Sequence, residues 1–361
     1  MSRNKKPLPL YKDVEIVAVA AEGRAIARVD DLVVFVPFVV PGDVLDIQVT
    51  RKKNKYCEGV AVSINKRSED RSEPFCKYFG ICGGCRWQNL KYSEQLRWKR
   101  QTVVDALRRI GKIDLPEILP IIGSGNTKEF RNKLEFGFSN KRWLTKEEIA
   151  EDKVYDNMNA VGFHVPGAFD KIIDIDYCGL MDDWQNKVRN EVRKYAFDNN
   201  LTFFNIRQHE GLLRNMMLRK TTVGETMILM QFHYTDDIEQ KKAMKLLEHL
   251  SKKFENTTSL MFVNNLKLND TFGDLDIQTY AGRDFIYEEM NGLKFKIGPK
   301  SFFQTNTFQA IRLYETVAKY AALTGEETVY DLYTGTGTIA NYVARQAKKV
   351  IGIEYVPEAI E

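Results

Sequence analysis

Short stretches in which apolar and polar residues alternate dominate the first part of the chain. Residues 14–19, 33–38 and 44–49 follow this pattern, and Gly23, Pro41-Gly42-Asp43 and a basic turn separate them. Alternation with a period of two is typical of strands that bury one face. It predicts a small closed β-barrel over residues 9–66, similar to the OB-like barrels that bind oligonucleotides on one face. An ordinary surface hairpin with solvated lysines explains the same residues, so the pattern alone leaves both interpretations open.

The pattern becomes mixed after the barrel. Residues 93–110 predict an amphipathic helix with Ser93 as its N-cap and several arginines on its polar face. Further strand patterns follow at 134–138 and 226–230, and a second amphipathic helix at 236–254. This mixture predicts a central α+β domain over residues 67–290. A hairpin over 285–297, closed by Asn291-Gly292, leads out of it.

The C-terminal part contains, in this order, a strand, a glycine turn, a helix and a second strand. A buried-strand run at 328–333 breaks into Gly335 and Gly337, and a second strand at 349–353 ends in Glu354. This is the opening βαβ unit of a Rossmann-like sheet, in which glycines let a cofactor approach the backbone and the acid holds two ribose hydroxyls. The third glycine that NAD enzymes usually carry is absent from its standard place. S-adenosylmethionine therefore fits this turn at least as well as NAD.

Three of the five cysteines, Cys76, Cys82 and Cys85, lie within ten residues. No signal peptide is evident, and the chain is too long and cysteine-poor for a disulfide scaffold, so a metal or iron–sulfur site is indicated. Cys178, in a turn-like setting, is the natural fourth ligand, whereas Cys57 lies in a strand pattern as a half-buried thiol. Four thiolates hold zinc or a 4Fe-4S cluster. Three local ligands and one distant ligand favour iron–sulfur.

Charge is distributed unevenly along the 361 residues. Residues 1–112 contain 22 Lys and Arg against 13 Asp and Glu, a net charge of +9, whereas the remainder contains 31 against 36, a net charge of −5. A polyanion such as RNA would bind the basic portion. No apolar run is long enough to span a bilayer. We therefore expect a soluble, cytoplasmic and monomeric protein of two or three domains with no membrane partner.

Taken in order, these segments resemble the RNA uracil-5-methyltransferase family, specifically its iron–sulfur members with an N-terminal TRAM barrel. The resemblance spans nearly the whole chain. It rests on the order of the barrel, Cys76/Cys82/Cys85, Phe130-Arg131-Asn132-Lys133, Cys178, Ser301-Phe302-Phe303-Gln304-x-Asn306, Asp331-Leu332-Tyr333-x-Gly335-x-Gly337 and Ile353-Glu354. It implies an α/β multidomain fold: a TRAM-like barrel at 9–66, an α+β iron–sulfur domain at 67–290, and the start of a methyltransferase domain at 291–361.

The resemblance also implies roles for individual residues. A 4Fe-4S cluster would be held by Cys76, Cys82, Cys85 and Cys178. The cofactor S-adenosylmethionine would contact Gln304, Tyr333, Gly335, Gly337, Thr338 and Glu354. At Thr338 the best-known members of the family have Asn.

The implied reaction is methylation of carbon 5 of a uridine in RNA. The favoured substrate is 23S ribosomal RNA, and transfer RNA is the alternative. In this family a cysteine thiolate adds to carbon 6, carbon 5 then takes the methyl group, and a general base removes its proton before elimination. The family places the nucleophilic Cys and the base Glu at positions expected beyond Glu361. No catalytic residue is therefore assigned, and we expect a C-terminally incomplete methyltransferase domain that is inactive alone.

Other classes of protein remain open. An RNA-binding module with a structural iron–sulfur or zinc site would need no catalysis, and a transfer RNA uracil-5-methyltransferase would share every motif. Radical methylthiotransferases also carry TRAM barrels, but their compact Cys-x3-Cys-x2-Cys differs from the x5 spacing after Cys76. A NAD-dependent dehydrogenase is the weakest alternative because of the glycine spacing.

Overall fold

The chain divides into two compact units, Met1–Gly123 and Ser124–Glu361, and the computed structural model describes residues 7–356 of it. The boundary between these units differs from the predicted boundaries after residues 66 and 290. The boundaries after residues 66 and 290 stay predictions. Within the described residues, no helix combines the length and apolar character needed to cross a membrane.

A closed barrel forms the start of the first unit. Its strands are β1 (Leu10–Val19), β2 (Ala25–Val29), β3 (Leu32–Val36), β4 (Val44–Lys52) and β5 (Tyr56–Lys66). They follow the order β1-β2-β3-β5-β4, and β4 pairs back with β1. The alternating apolar residues point inward, so Ile16, Leu45 and Ile47 are fully buried. The predicted barrel is confirmed, with β2 as an additional strand whose inward residues, Ala25 and Ala27, carry only a weak apolar signal.

The buried carboxylate of Asp43 connects the barrel to the segment that follows it through hydrogen bonds. Asp43 is fully buried in the turn before β4. It accepts the backbone N–H of Val40 at 2.8 Å and of Ser68 at 2.9 Å. The Arg71 guanidinium donates to it through Nε at 2.8 Å and Nη2 at 2.7 Å. Because charge-assisted bidentate pairs are strong and directional, the segment that leads to the cysteine-rich loop belongs with the barrel.

Helix α1 (Tyr92–Asp105) follows the cysteine-rich loop in the first unit and continues as one π-helical turn over Ala106–Ile110. Lys91 is its N-cap and makes no side-chain capping bond, so the predicted N-cap at Ser93 is wrong. The Arg100 guanidinium donates to the Ile118 carbonyl through Nε at 2.8 Å, which holds the following loop against the helix.

A seven-stranded sheet in the order β12-β11-β10-β9-β6-β7-β8 forms the second unit's centre. Its strands are β6 (Lys133–Ser139), β7 (Ala160–Val165), β8 (Ala168–Asp174), β9 (Leu213–Lys220), β10 (Thr226–Phe232), β11 (Ser259–Asn264) and β12 (Gln278–Gly282). Neighbours are antiparallel except β10 and β11, which run parallel. The accompanying helices are α2 (Lys146–Ala150), α3 (Asp183–Asp198) and α4 (Asp237–Lys253). The α4 N-cap is Asp236, in agreement with the predicted helix over 236–254.

The C-terminal elements begin with the predicted hairpin of β13 (Ile286–Met290) and β14 (Leu293–Ile297). Its turn has φ 49° at Asn291 and φ 73° at Gly292, as a type I′ turn requires. The elements α5 (Thr307–Ala321), β15 (Thr328–Leu332), α6 (Thr338–Ala344) and β16 (Lys349–Ile353) follow. Strands β15 and β16 pair in parallel, so the predicted βαβ unit is present.

One apolar core joins these C-terminal elements to the sheet. Its buried members are Met217, Met227, Leu229, Met261 and Val263 of the sheet together with Ile286, Met290, Phe295, Ile297, Phe303, Ala310 and Tyr314. Ile339 and Tyr342 of α6 pack against the same cluster. Shared burial of this kind stabilises both sides together, which explains why the second unit is not divided near residue 290.

Candidate functional site

The turn between β15 and α6 brings together the predicted cofactor residues of the C-terminal segment. Gly335 has φ 57° and Gly337 has φ 70°, conformations that glycine adopts without strain. The Glu354 carboxylate, which follows β16, accepts the Gly335 N–H at 2.8 Å. Parallel pairing places the ends of β15 and β16 at one edge, so residues 19 positions apart in sequence meet in space.

Backbone amides hold the Glu354 carboxylate in its charged form. The N–H groups of Val356 at 2.9 Å, Gly335 at 2.8 Å and Tyr355 at 2.8 Å lower the pKa of Glu354. A carboxylate offers about four acceptor positions, so Oε2, which among the described residues receives the Gly335 N–H alone, retains room for a hydroxyl donor. Tyr333 is 91% exposed in the same turn. Its φ of 63° is unusual for a bulky residue, and such conformations concentrate at functional sites.

Asp331 fixes the start of α6, where Gly337 is the N-cap and has no side chain to offer. The Asp331 Oδ2 accepts the Ala340 N–H at 3.0 Å and the Thr334 hydroxyl at 2.7 Å. Ala340 is the third residue of the helix, whose N–H an N-cap side chain usually bonds. A strand residue therefore supplies the cap and holds the glycine turn.

The Thr338 side chain bonds to helix α5. Its hydroxyl lies 3.1 Å from the hydroxyl of Tyr314, which is buried. Burial raises the pKa of Tyr314, the hydrogen bond to Thr338 lowers it, and the negative charge of Asp331 raises it further. Thr338 thus has a protein partner at the position where the sequence analysis places a cofactor contact.

Gln304 lies between β14 and α5, and Asn132 holds this segment. The Asn132 Nδ2 donates to the Gln304 carbonyl at 2.9 Å and to the Thr307 Oγ1 at 3.0 Å. The backbone N–H of Asn132 donates to the Thr305 carbonyl at 2.9 Å. Two motifs that are far apart in sequence, 130–133 and 301–306, are therefore in direct contact.

The turn that contains Cys178 pairs with the same motif. The Glu129 N–H donates to the Gly179 carbonyl at 3.0 Å, and the Arg131 N–H donates to the Leu180 carbonyl at 2.8 Å. The Cys178 N–H donates to the Oδ1 of Asn186, a buried residue, at 2.8 Å. Cys178, the 129–132 segment and the Gln304 segment thus form one continuous hydrogen-bonded region.

A cavity of about 130 Å³ opens in this region. Phe130, Asn132, Thr307 and Phe308 contribute to its lining, together with Lys220, which is paired with Asp182. The volume corresponds to about four water molecules at roughly 30 Å³ each.

The cysteines fall in both units. Cys76, Cys82 and Cys85 lie in the first unit and Cys178 in the second. All four are partly exposed, whereas Cys57 is fully buried in the barrel core. The Gly84 N–H lies 3.5 Å from the Cys82 Sγ as a donor, a type of bond that cluster sulfurs receive.

The chemistry of these cysteines favours a metal or iron–sulfur site, whereas their arrangement does not. Thiol side chains are the donor set that zinc and iron–sulfur clusters take. Within residues 7–356, however, no three His, Cys, Asp or Glu side chains lie close enough together to hold a metal ion. The four cysteine assignments therefore stay predictions.

An aromatic and basic patch lies on the outside of the barrel. The rings of Phe35 on β3 and Tyr56 on β5 pack edge to face with centroids 5.7 Å apart. The Arg24 guanidinium lies 4.8 Å from the centre of the Phe35 ring. Glu58 pairs with Arg24 and with Arg51 at 3.8 Å each. Aromatic rings beside basic groups are the combination on which unstacked nucleobases bind.

Sequence reasoning missed several residues that organise the site, and Glu288 is the one with a readable signal. In β13 the inward positions are Ile286, Glu288 and Met290, so a lone carboxylate interrupts an apolar face. Glu288 is fully buried and accepts the Thr307 hydroxyl at 2.8 Å and the Thr222 N–H at 3.0 Å. The roles of Asn132 and Asp331 have no comparable signal, because they depend on contacts across the fold.

Comparison with known proteins agrees with this geometry. Residues 11–62 match the family model of the TRAM domain. A relative from Bacteroides thetaiotaomicron is 57% identical over 95% of this chain and 75% of its own length, and one from Porphyromonas gingivalis is 50% identical over 96% and 75%. Both are described as uncharacterized RNA methyltransferases.

The fold resembles that of the Pyrococcus abyssi tRNA (uracil-54, C5)-methyltransferase in complex with S-adenosyl-L-homocysteine. The TM-score is 0.67 at 24% identity, over 96% of this chain and 74% of that one. The barrel and the glycine turn together define a TRAM-containing protein with a methyltransferase-like fold. Because it covers three-quarters of relatives that are 57% and 50% identical to it, the chain belongs to the RNA methyltransferase family.

Proposed function

We propose that this protein serves the S-adenosylmethionine-dependent methylation of carbon 5 of a uridine in RNA. The observation that carries the proposal is the bond from the Gly335 N–H to the Glu354 carboxylate. It joins a glycine turn that a cofactor can approach to an acid that can accept from ribose hydroxyls. Further cofactor contacts in this proposal are Gln304, Tyr333, Gly337 and Thr338. Membership of the RNA methyltransferase family supports methyl transfer to RNA.

The reaction requires residues that activate the base. Carbon 5 of uracil is a poor nucleophile until a thiolate adds to carbon 6, and a general base must later remove the carbon-5 proton. All five cysteines have other places in this proposal, since four are cluster ligands and Cys57 is enclosed in the barrel. We therefore expect residues 1–361 to bind cofactor and RNA without transferring the methyl group.

The proposed ligands of the 4Fe-4S cluster are Cys76, Cys82, Cys85 and Cys178. When bound, the cluster supplies a crosslink among its ligands, and the proposal assigns it no redox step. The three local cysteines and the bond from Gly84 to Cys82 support the proposal.

The proposed substrate is 23S ribosomal RNA, and transfer RNA is the second candidate. The Pyrococcus abyssi enzyme acts on a transfer RNA, which keeps the second candidate open. Because the likeness to that enzyme extends over 96% of this chain, the barrel fold is shared and does not choose between the two RNAs. In either case the target base has to leave its stack to reach the methyl donor. The rings of Phe35 and Tyr56 offer a surface on which other unstacked bases of the RNA can stack.

Binding measurements on the 361-residue chain test the proposal. Isothermal titration with S-adenosyl-L-homocysteine should show binding, and Glu354→Gln should weaken it about tenfold, because an amide accepts hydroxyl donors less strongly than a carboxylate. Filter binding of a 23S ribosomal RNA transcript and a transfer RNA transcript over a range of salt concentrations then ranks the two substrates. RNA binding without any cofactor binding would instead indicate an RNA-binding module with no catalysis.

A further inference from the structure

A chain of hydrogen bonds with a defined proton order begins at Glu288. This carboxylate is fully buried and accepts from the Thr222 N–H at 3.0 Å and from the Thr222 hydroxyl. It also accepts from the Thr307 hydroxyl at 2.8 Å. In this bond the Thr307 hydroxyl is the donor, so its proton is committed to Glu288.

That commitment fixes the orientation of the Asn132 amide. With its proton used, the Thr307 Oγ1 can only accept, so the Asn132 atom 3.0 Å away has to be Nδ2. The second Nδ2 proton goes to the Gln304 carbonyl at 2.9 Å, which is also an acceptor. The reversed amide would place Oδ1 against two acceptors, which excludes it despite the usual ambiguity of Asn side chains.

Asn132 is also fixed through its main chain. Its N–H donates to the Thr305 carbonyl and its carbonyl accepts the Lys220 N–H, both at 2.9 Å. The segment it holds, residues 298–306, contains no helix or strand and depends on such bonds for its conformation. Two bonds from Asn132, to the Gln304 and Thr305 carbonyls, therefore help to fix where the main chain of Gln304 lies.

We propose that Asn132 is a positioning residue for the cofactor site. Glu288 fixes the Thr307 hydroxyl by a hydrogen bond, and Thr307 fixes the Asn132 amide in the same way. Asn132 then holds the Gln304 main chain where the Gln304 side chain can contact the cofactor. The inference rests on the proposed function, because Gln304 is a cofactor contact only within that proposal.

Paired substitutions at Thr307 test the chain of bonds. Thr307→Val keeps the shape of the side chain but removes the hydroxyl, and it should weaken binding of S-adenosyl-L-homocysteine about tenfold. Thr307→Ser restores the hydroxyl and should return affinity to within about twofold of the parent chain. Asn132→Ala should also weaken binding about tenfold, and this effect should vanish when Gln304 is already alanine, because the two residues act through one contact.

A matched control separates positioning from general destabilisation. Asn264, at the end of β11, accepts the Tyr234 N–H at 3.0 Å and donates to the Tyr234 carbonyl at 2.9 Å. Asn264→Ala should lower the melting temperature yet leave the affinity unchanged. Equal affinity of Thr307→Val and the parent chain, or full additivity of Asn132→Ala with Gln304→Ala, would overturn the inference alone. If the parent chain does not bind S-adenosyl-L-homocysteine, the proposed function is wrong, and there is then no cofactor site for Asn132 to position.

Discussion

Replacing Asp43 with alanine should destabilise the first unit by about 4 kcal/mol. The carboxylate is fully buried, and its loss leaves the Arg71 guanidinium, only 19% exposed, without its partner. Breaking a buried ion pair from one side costs about 3–5 kcal/mol. The N–H groups of Val40 and Ser68 lose their acceptor as well, at about 1 kcal/mol or more each. Water that reaches Arg71 recovers part of this sum.

Thermal unfolding and hydrogen exchange measure the effect. At about 4 °C per kcal/mol for a unit of this size, the barrel transition should fall by roughly 15 °C. Exchange of barrel amides should accelerate while exchange in β9 and β10 stays unchanged. The exposed Glu69→Ala in the same segment is the control and should shift stability by less than about 0.5 kcal/mol. Combining Asp43→Ala with Arg71→Met should recover part of the loss, since no charge is then stranded.

A cost below about 1 kcal/mol for Asp43→Ala would refute this reasoning. So would strict additivity of Asp43→Ala and Arg71→Met, because residues that bond each other directly should couple. Either result would mean that the segment after the barrel is held by other contacts.

Three further outcomes follow from the structure. Phe35→Ala should weaken RNA binding roughly tenfold in filter assays, since a stacked base is lost; unchanged affinity would exclude stacking there. Anaerobically purified protein should contain about four irons, lost in Cys178→Ala and kept in Cys57→Ala; zinc, or iron retained in the first variant, would contradict the cluster. The Thr324 hydroxyl and N–H lower the pKa of Glu327 from 4.5 to about 2. Its stabilising contribution is therefore complete above pH 4.5 and lost toward pH 2, and an NMR titration midpoint near 4.5 would contradict it.

Elements with a strong local signal could be predicted from the sequence. Alternation of apolar residues predicted the barrel, Asn291-Gly292 predicted the turn between β13 and β14, and Asp236 marked the start of α4. Strand β2 was missed because Ala25 and Ala27 are small, although the closed barrel buries both completely. Local patterns thus reveal a strand only where its inward residues are large enough to contrast with their neighbours.

The motifs of the site could be found in the sequence, but the contacts between them could not. Asn132 and Gln304 are separated by 172 positions, and the sequence around neither residue indicates that the two are in contact. The cap that Asp331 provides for α6 replaces a local N-cap, so a local rule does not find it. Composition also cannot show that the hairpin shares its core with the sheet.

The shared core of the second unit has a consequence for synthesis on the ribosome. Sheet residues up to Val263 emerge before the apolar residues of β13, β14 and α5 that cover them, the last of which is Tyr314. At 5–20 residues per second, this face of the nascent sheet waits roughly 3–10 s for its cover. During that interval Met217, Met227 and Met261 are available to chaperones and to aggregation. Translation speed between these positions should therefore influence how much folded protein is obtained.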